Sequence, residues 1–388
     1  MGGKAKQSQR TKNNARPSSS GRSAELLNNV IKTDDVFGML YKGKTLPTLF
    51  PTMTPIIPDH TMTNEFALAF KKLNKKDPIT RTKALQELLE LVNNSDTEEV
   101  VAILPSWGLF YVTLTIDTDH KVRELTQSCH SAIMERCGRR VAPQLKRLLP
   151  AWLLAVHDEH APARSIASNC LKTTFPDQKL NDAITFCKSE IMALIVDNIT
   201  GNAEAILNKK VEDPDERKVL MARIISSSLQ AFCMFLDKIL EYQDWVWEEI
   251  QTLLNNPAIW KLSANDSHHV RAAWFDAIGH IIQRHHTRLG PQLGGKMATI
   301  LISQPEKRAD VAASRWAALL LLLHVEEWHI WLKKKDLLVK RLFDTIENGG
   351  WGDVSLLSNI LLPLISKLPD EFLTRDFYTQ LFKALFTG

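Results

Sequence analysis

A capping residue followed four or five positions later by arginine recurs along this chain about every 40 residues. The clearest copies begin at Asp77 and Asp119, with Arg81 and Arg123 four residues later. Three looser copies follow: His160 with Arg164, Asp266 with Arg271, and Asp310 with Arg315. Successive arginines are 42, 41 and 44 positions apart for 81–123, 123–164 and 271–315. Such a period is typical of stacked helical hairpins, so we predict an all-α, HEAT/armadillo-like α-solenoid.

The residue types also predict a local structure at each helix start. Aspartate before a helix caps the free backbone N–H groups, and arginine four positions later can pair with its carboxylate. We therefore expect intrahelical ion pairs between Asp77 and Arg81 and between Asp119 and Arg123. Apolar residues then recur at helical spacing, and we find no convincing run of period-two strands.

Positive charge is concentrated at the amino terminus. Six cations precede Glu25, the first acidic residue: Lys4, Lys6, Arg10, Lys12, Arg16 and Arg22. Removing these six from the 48 Lys and Arg residues leaves 42 basic against 44 acidic residues. Residues 1–24 contain almost no large apolar side chains and cannot offset the entropy of ordering. We predict a disordered basic N-terminal tail over 1–24, a Pro-containing linker over 25–62 and the solenoid over 63–388.

Three further features bear on the class of protein. The ending LFKALFTG lacks a polar capping repeat, so we expect this chain to be a fragment of a longer one. The five cysteines lie within apolar helical patterns and are predicted to be reduced core thiols of a cytosolic protein. No uninterrupted apolar run approaches the roughly 18 residues of a membrane span, so no membrane partner is expected.

Signatures of enzyme chemistry are not found in the sequence. It has no GxSxG, P-loop, GxGxxG or C-x₂-C pattern. We interpret Gly294, Gly295 and Lys296 as a loop rather than a phosphate cradle. The adjacent histidines His268 and His269 would point in different directions on a helix, which disfavours shared metal ligation. We predict no catalytic, cofactor-binding or metal-binding residues.

Basic residues are the remaining candidate site. Besides the tail, a group in the body consists of Arg139, Arg140, Lys146 and Arg147. Pro143 lies within this group, so its members are only loosely associated and could simply be a solvated edge. A flexible tail with six positive charges fits salt-dependent attraction to phosphates. We predict ribosome or RNA contact by the six tail cations and these four residues.

Several long segments, in the same order, resemble the amino terminus of the listerin family. They include MGGKAKQSQRTKNNARPSSSGRSAELL, FKKLNKKDPITRTKALQEL, ILPSWGLFYVTLTIDTDHKVRELTQ, VAPQLKRLLPAWLLAVHDEHAPA and SHHVRAAWFDAI. These are RING-type E3 ubiquitin ligases of ribosome-associated quality control. The resemblance implies a docking arm that reaches the intersubunit side of a large ribosomal subunit with a stalled peptidyl-tRNA, near nuclear export mediator factor.

The same resemblance implies a long solenoid that ends in a RING, where zinc is bound and an E2 ubiquitin-conjugating enzyme is recruited. That RING is not expected within these residues, so we predict no cofactor here. Period and charge alone are equally compatible with a non-enzymatic α-solenoid scaffold or transport receptor. Downstream sequence with paired C-x₂-C units would favour the ligase.

Overall fold

The computed structural model describes residues 62–176, 178–200, 211, 213–239, 244–303, 306–326, 328–352 and 354–388. Within these ranges the regular structure is α-helix and short 3₁₀ helix, with no β-strand. The prediction of an all-α fold is therefore confirmed. The predicted tail lies outside the described residues, as does all of the linker except Met62, so these domain boundaries remain predictions.

The described helices of the first half of the fold follow one another in pairs joined by short turns. They are α1 (Asn64–Leu73), α2 (Pro78–Asn94), α3 (Thr97–Ala102), α4 (Leu104–Thr115), α5 (His120–Cys137), α6 (Leu145–Ala155), α7 (Ala161–Thr174), α8 (Gln178–Phe186) and α9 (Lys188–Thr200). A 3₁₀ helix, Gly138–Gln144, joins α5 to α6.

The second half is also helical throughout its described residues. Its helices are α10 (Pro214–Lys238), α11 (Asp244–Asn255), α12 (Pro257–Lys261), α13 (His268–His285), α14 (Pro291–Ser303), α15 (Ala309–Leu323), α16 (Trp328–Trp331), α17 (Lys335–Glu347), α18 (Val354–Ile365) and α19 (Arg375–Thr387). Short 3₁₀ helices span Leu262–Ala264, His286–Arg288, Gly349–Gly352 and Asp370–Phe372.

Corresponding helices of neighbouring repeats pack against each other. Helix α2 packs on α5 and α5 on α7, while α10 packs on α13 and α13 on α15. Large aromatic side chains fill the space between these helices. Four tryptophans have at most 1% of their surface exposed: Trp107, Trp152, Trp274 and Trp316. Burial of this kind is what stacked repeats require, since one hairpin cannot cover its own apolar face.

Helix α10 is the one described helix long and apolar enough to cross a membrane by length and composition alone. It packs on α9 on one side and on α13 on the other. Its buried residues include Leu229, Phe232 and Phe235, none of which is exposed. We therefore interpret α10 as a core helix of the solenoid.

The glycine pair of α14 corrects the loop interpretation. Gly294 and Gly295 lie inside the helix Pro291–Ser303. A Cβ on Gly294 would lie 2.3 Å from the indole ring of Trp331, so glycine permits α16 to approach closely. Lys296 lies with its Nζ atom 3.9 Å from the ring centroid of Trp260, a cation–π contact. Gly294 therefore serves packing between helices.

Candidate functional site

The repeated arginines make the same backbone contacts at successive helix starts. Arg81 donates from Nη1 to the carbonyl oxygens of Lys75 and Lys76, at 2.9 and 2.6 Å. Arg123 donates in the same way to residues 117 and 118, at 2.9 and 3.1 Å. The carboxylates of Asp77 and Asp119 instead accept backbone N–H groups of their own helices. The capping predictions are confirmed, and the intrahelical ion pairs are wrong.

The same geometry recurs at three later helix starts. Arg164 donates to the carbonyl of residue 158 at 2.7 Å, Arg217 to that of residue 211 at 2.8 Å, and Arg271 to that of residue 265 at 2.8 Å. In each case the acceptor lies six positions earlier. We name the set Arg81, Arg123, Arg164, Arg217 and Arg271 the arginine ladder.

Three details of the sequence pattern are corrected by the ladder. Arg217 belongs to it although the sequence period did not reveal it. The residue that precedes α13 is Ser267, so Asp266 is not the N-cap. Arg315 lies seven positions into α15, which begins at Ala309, so it does not occupy the ladder position.

For three of the five ladder arginines, the structure also places a carboxylate of the turn before the next repeat helix within ion-pair distance. Arg81 Nη2 lies 2.8 Å from Asp117 Oδ1, and Arg271 Nε lies 2.9 Å from Glu306 Oε2. Each acid belongs to the turn that precedes the following repeat helix. Asp117 Oδ1 also accepts the backbone N–H of Asp119 at 3.0 Å, which fixes the carboxylate toward the arginine. These ion pairs therefore help to fix the register between the repeats that they join.

Arg223 of α10 joins the first repeats to the middle of the solenoid. Its Nη2 atom donates to the carbonyls of Ile116 and Asp117 at 3.1 and 2.8 Å. The same guanidinium lies 3.8 Å from Asp158 and 3.5 Å from Glu159. Burial, followed by repulsion from Arg123, lowers the pKa of Arg223 to about 10. Backbone and carboxylate partners engage this group, so its role is structural.

The four basic residues predicted to contact RNA from the folded body differ in exposure. Arg139 and Arg140 are exposed on the 3₁₀ helix, and Lys146 is exposed at the second position of α6. Arg147 has only 6% of its surface exposed. Its Cδ atom lies 2.9 Å from where a Cβ on Gly108 would be, because α6 is covered on this side by α4. The structure thus contradicts Arg147 as a surface contact.

We name the three exposed cations, Arg139, Arg140 and Lys146, the α5 carboxyl edge. Two of them already have acidic neighbours: Arg140 pairs with Glu98, and Lys146 Nζ lies 3.1 Å from Glu190 Oε1. A groove of about 1000 Å³ lies beside the edge between α5 and α7, and its lining includes Arg139. Its charge is mixed, because the lining also includes Lys179, Glu135 and Asp182.

Sequence comparison identifies the relatives of this solenoid. The model of a family described as "E3 ubiquitin-protein ligase listerin, N-terminal domain" matches residues 59–368. The chain belongs to the listerin family. It is 34% identical to the E3 ubiquitin-protein ligase listerin of Drosophila melanogaster, an alignment that covers 98% of this chain and 23% of that protein. Its identity to the Mus musculus listerin is 30%, over 100% of this chain and 22% of the relative.

This listerin domain therefore spans less than a quarter of the length of these curated relatives. The Gallus gallus listerin gives the same picture, with 30% identity over 95% of this chain and 21% of that protein. The resemblance inferred from the sequence segments that occur in the same order is confirmed at the level of the family. The six tail cations lie outside the described residues, and their role remains a prediction.

A second basic surface of the listerin domain lies at the opposite end of α5. Lys75 and Lys76 are exposed there and line a cavity of about 180 Å³ together with Thr118 and Val211. We name Lys75 and Lys76 the α2 amino edge. Helix α5 has 18 residues, so about 27 Å separates its two ends. The two basic edges can therefore be tested independently.

Proposed function

We propose that this domain docks its ubiquitin ligase, in the cytosol, on a large ribosomal subunit that carries a stalled peptidyl-tRNA. The observation that carries the proposal is the distribution of charge. Six cations precede Glu25, whereas the rest of the chain has 42 basic and 44 acidic residues. A basic segment attracts ribosomal RNA because its binding releases condensed counterions from the phosphates.

The domain contributes position rather than chemistry in this proposal. A RING elsewhere in the longer protein would bind zinc and recruit the E2 enzyme, while the docked solenoid holds that RING near the stalled nascent chain. Docking raises the effective concentration of the ligase at its substrate. Nuclear export mediator factor, bound to the same subunit, is the proposed neighbour. Family membership favours this function over the alternative of a non-enzymatic scaffold or transport receptor.

The two cationic elements have different roles in the proposal. The tail supplies attraction, because its charges precede any acidic residue. The α5 carboxyl edge supplies orientation, because Arg140 and Lys146 are held by Glu98 and Glu190 and their charge is partly compensated. Partly compensated cations attract RNA weakly at long range and contribute mainly once the surfaces are in contact.

Co-sedimentation with purified large subunits and with whole ribosomes tests docking. We expect the chain to bind free large subunits and to be excluded from whole ribosomes, where the intersubunit face is covered. Replacing all six tail cations with Gln should weaken binding and flatten its salt dependence. Each lost phosphate contact removes roughly 0.7 to 0.9 from the slope of log K against log salt concentration.

Two body variants serve as matched controls for one another. The triple change Arg139→Gln, Arg140→Gln and Lys146→Gln should reduce selectivity for free subunits. The double change Lys75→Gln and Lys76→Gln, at the other end of α5, should not. Arg147 is left unchanged because its burial would confound folding with binding. Equal binding to subunits and whole ribosomes would refute intersubunit docking. Unchanged affinity and slope in the tail variant would refute electrostatic attraction.

A further inference from the structure

Two adjacent histidines at the start of α13 lie side by side. The ring centroids of His268 and His269 are 3.9 Å apart. Neighbouring side chains diverge along a helix, which is why the sequence disfavoured a shared site. These two occupy the first helical turn, where no preceding turn restricts their rotamers. Both rings can therefore face the same small volume.

A carboxylate from the next repeat completes the cluster. Asp310 lies in the first turn of α15, which packs along α13. His268 Nε2 lies 3.5 Å from Asp310 Oδ2. One ligand atom from each of the three residues lies within 4.8 Å of the other two. Stacking of the repeats thus gathers two imidazoles and one carboxylate from residues about 40 positions apart in sequence.

The donor set suits a transition-metal ion more than magnesium or calcium. Imidazole nitrogen binds zinc, copper, nickel and cobalt well, whereas magnesium and calcium prefer oxygen ligands throughout. Ligand atoms around a tetrahedral zinc are about 3.3 Å apart, since Zn–N and Zn–O bonds are about 2.0 to 2.1 Å. The separation of 3.5 Å between His268 and Asp310 is already close to that value.

The site is open to solvent, and its side chains need to move only slightly to bind an ion. The side chains of His268 and Asp310 are 28% and 44% exposed, so a hydrated ion can reach them and rotation is unhindered by a core. Three protein ligands would leave one tetrahedral position for water. A metal held there would join α13 to α15 directly.

One cation competes for the carboxylate. Arg308 approaches Asp310 with Nε at 3.1 Å from Oδ1 and Nη2 at 3.4 Å from Oδ2. This arginine is itself 54% exposed, so its contact is easily replaced by solvent. Removing its charge should therefore strengthen the attraction of the cluster for a divalent ion.

We propose that His268, His269 and Asp310 bind a divalent transition-metal ion, with zinc the favoured ion, across the junction of two repeats. The site lies on the folded solenoid and is independent of the docking function proposed above.

Isothermal titration of the chain with zinc chloride tests the site. We expect the chain to bind zinc, and His268→Gln and His269→Gln each to bind one zinc fewer or to bind it at least tenfold more weakly. His280→Gln is the matched control, because His280 Nδ1 lies 3.1 Å from Asp237 Oδ1 without a second histidine in the pair. That variant should bind zinc as the unchanged chain does.

A second variant should change the zinc affinity in the opposite direction. Arg308→Gln should bind zinc severalfold more tightly, and zinc should raise its melting temperature more than that of the unchanged chain. Millimolar magnesium should not displace the zinc. Unchanged zinc affinity and stoichiometry in both histidine variants would overturn the proposal, as would weaker binding by Arg308→Gln.

Discussion

Arg123 and Asp158, on successive repeats, form a buried bidentate ion pair. Nε lies 2.8 Å from Oδ2 and Nη2 lies 3.2 Å from Oδ1. The two side chains are 3% and 5% exposed. Asp158 Oδ1 also accepts the backbone N–H of His160 at 2.8 Å, and this hydrogen bond orients the carboxylate toward the arginine. The pair connects the turn before α7 to the start of α5.

Arg123→Ala should destabilise the protein by about 3 to 5 kcal/mol. The substitution removes the bidentate partner of the buried Asp158 carboxylate and leaves it the longer contact with Arg223, at 3.8 Å. Breaking a buried ion pair by removing one partner costs about this much. Arg140→Ala is the control. It breaks the pair with exposed Glu98 and should cost less than about 1 kcal/mol. Urea unfolding of both variants measures the difference, and similar midpoints for the two would contradict the assignment of the ladder.

Alanine should have opposite effects at the two glycines of α14. Gly294→Ala places a methyl group 2.3 Å from Trp331, an overlap that should cost about 1 to 3 kcal/mol. Gly295→Ala meets its nearest neighbour, the carbonyl oxygen of Trp331, at 3.7 Å and should gain about 0.5 to 1 kcal/mol from helix propensity. Thermal unfolding of the two variants gives the signs, and a stable Gly294→Ala protein would exclude the close approach.

Acid should destabilise the fold through buried histidines. Burial lowers the pKa of His130 to about 3, and Trp107 Nε1 donates to its Nδ1 atom at 3.1 Å. Burial likewise lowers the pKa of His157 and of His285 to about 4. Between these values and the unfolded pKa of 6.5 the unfolded chain binds more protons. Stability therefore falls as pH decreases from 6.5 toward 4, by about 1.4 kcal/mol per pH unit for each such histidine.

Urea unfolding at pH 7, 6 and 5 measures this slope. His130→Gln should reduce it by about 1.4 kcal/mol per pH unit, because glutamine does not titrate. The exposed His329, changed to Gln, is the control for the substitution itself. A slope in His130→Gln equal to that of the unchanged chain would show that the pKa of His130 is not lowered by folding.

Native thiols should resist labelling. All five cysteines are free and buried. Burial raises the pKa of Cys137 to about 11 and that of Cys187 to about 12, so few thiolates exist at pH 8. We expect a thiol reagent to label the native protein at least about a hundredfold more slowly than the protein in guanidinium chloride. Rapid labelling of even one native cysteine would indicate that its repeat opens locally.

Local features of the fold were predictable from sequence, and contacts between repeats were not. The caps formed by Asp77 and Asp119 were predictable because a cap depends only on residues within one helical turn. The acid that meets Arg123 lies 35 positions away, so only the stacking register selects it. Arg147 was misjudged because the 3₁₀ helix before α6 changes the helical phase and turns this side chain inward.

The arginine ladder also indicates where the repeats of this chain can change in length. Its members are 42, 41, 53 and 54 positions apart along the chain, yet each donates to a carbonyl six residues before it. The seven-residue turn is therefore constant while the remainder of a repeat varies. A deletion within that turn shifts the guanidinium away from its carbonyl, whereas added residues elsewhere leave the geometry intact. Insertions and grafted peptides should thus be tolerated away from the seven-residue turns. Within those turns, the constant length keeps the spacing of the helices constant.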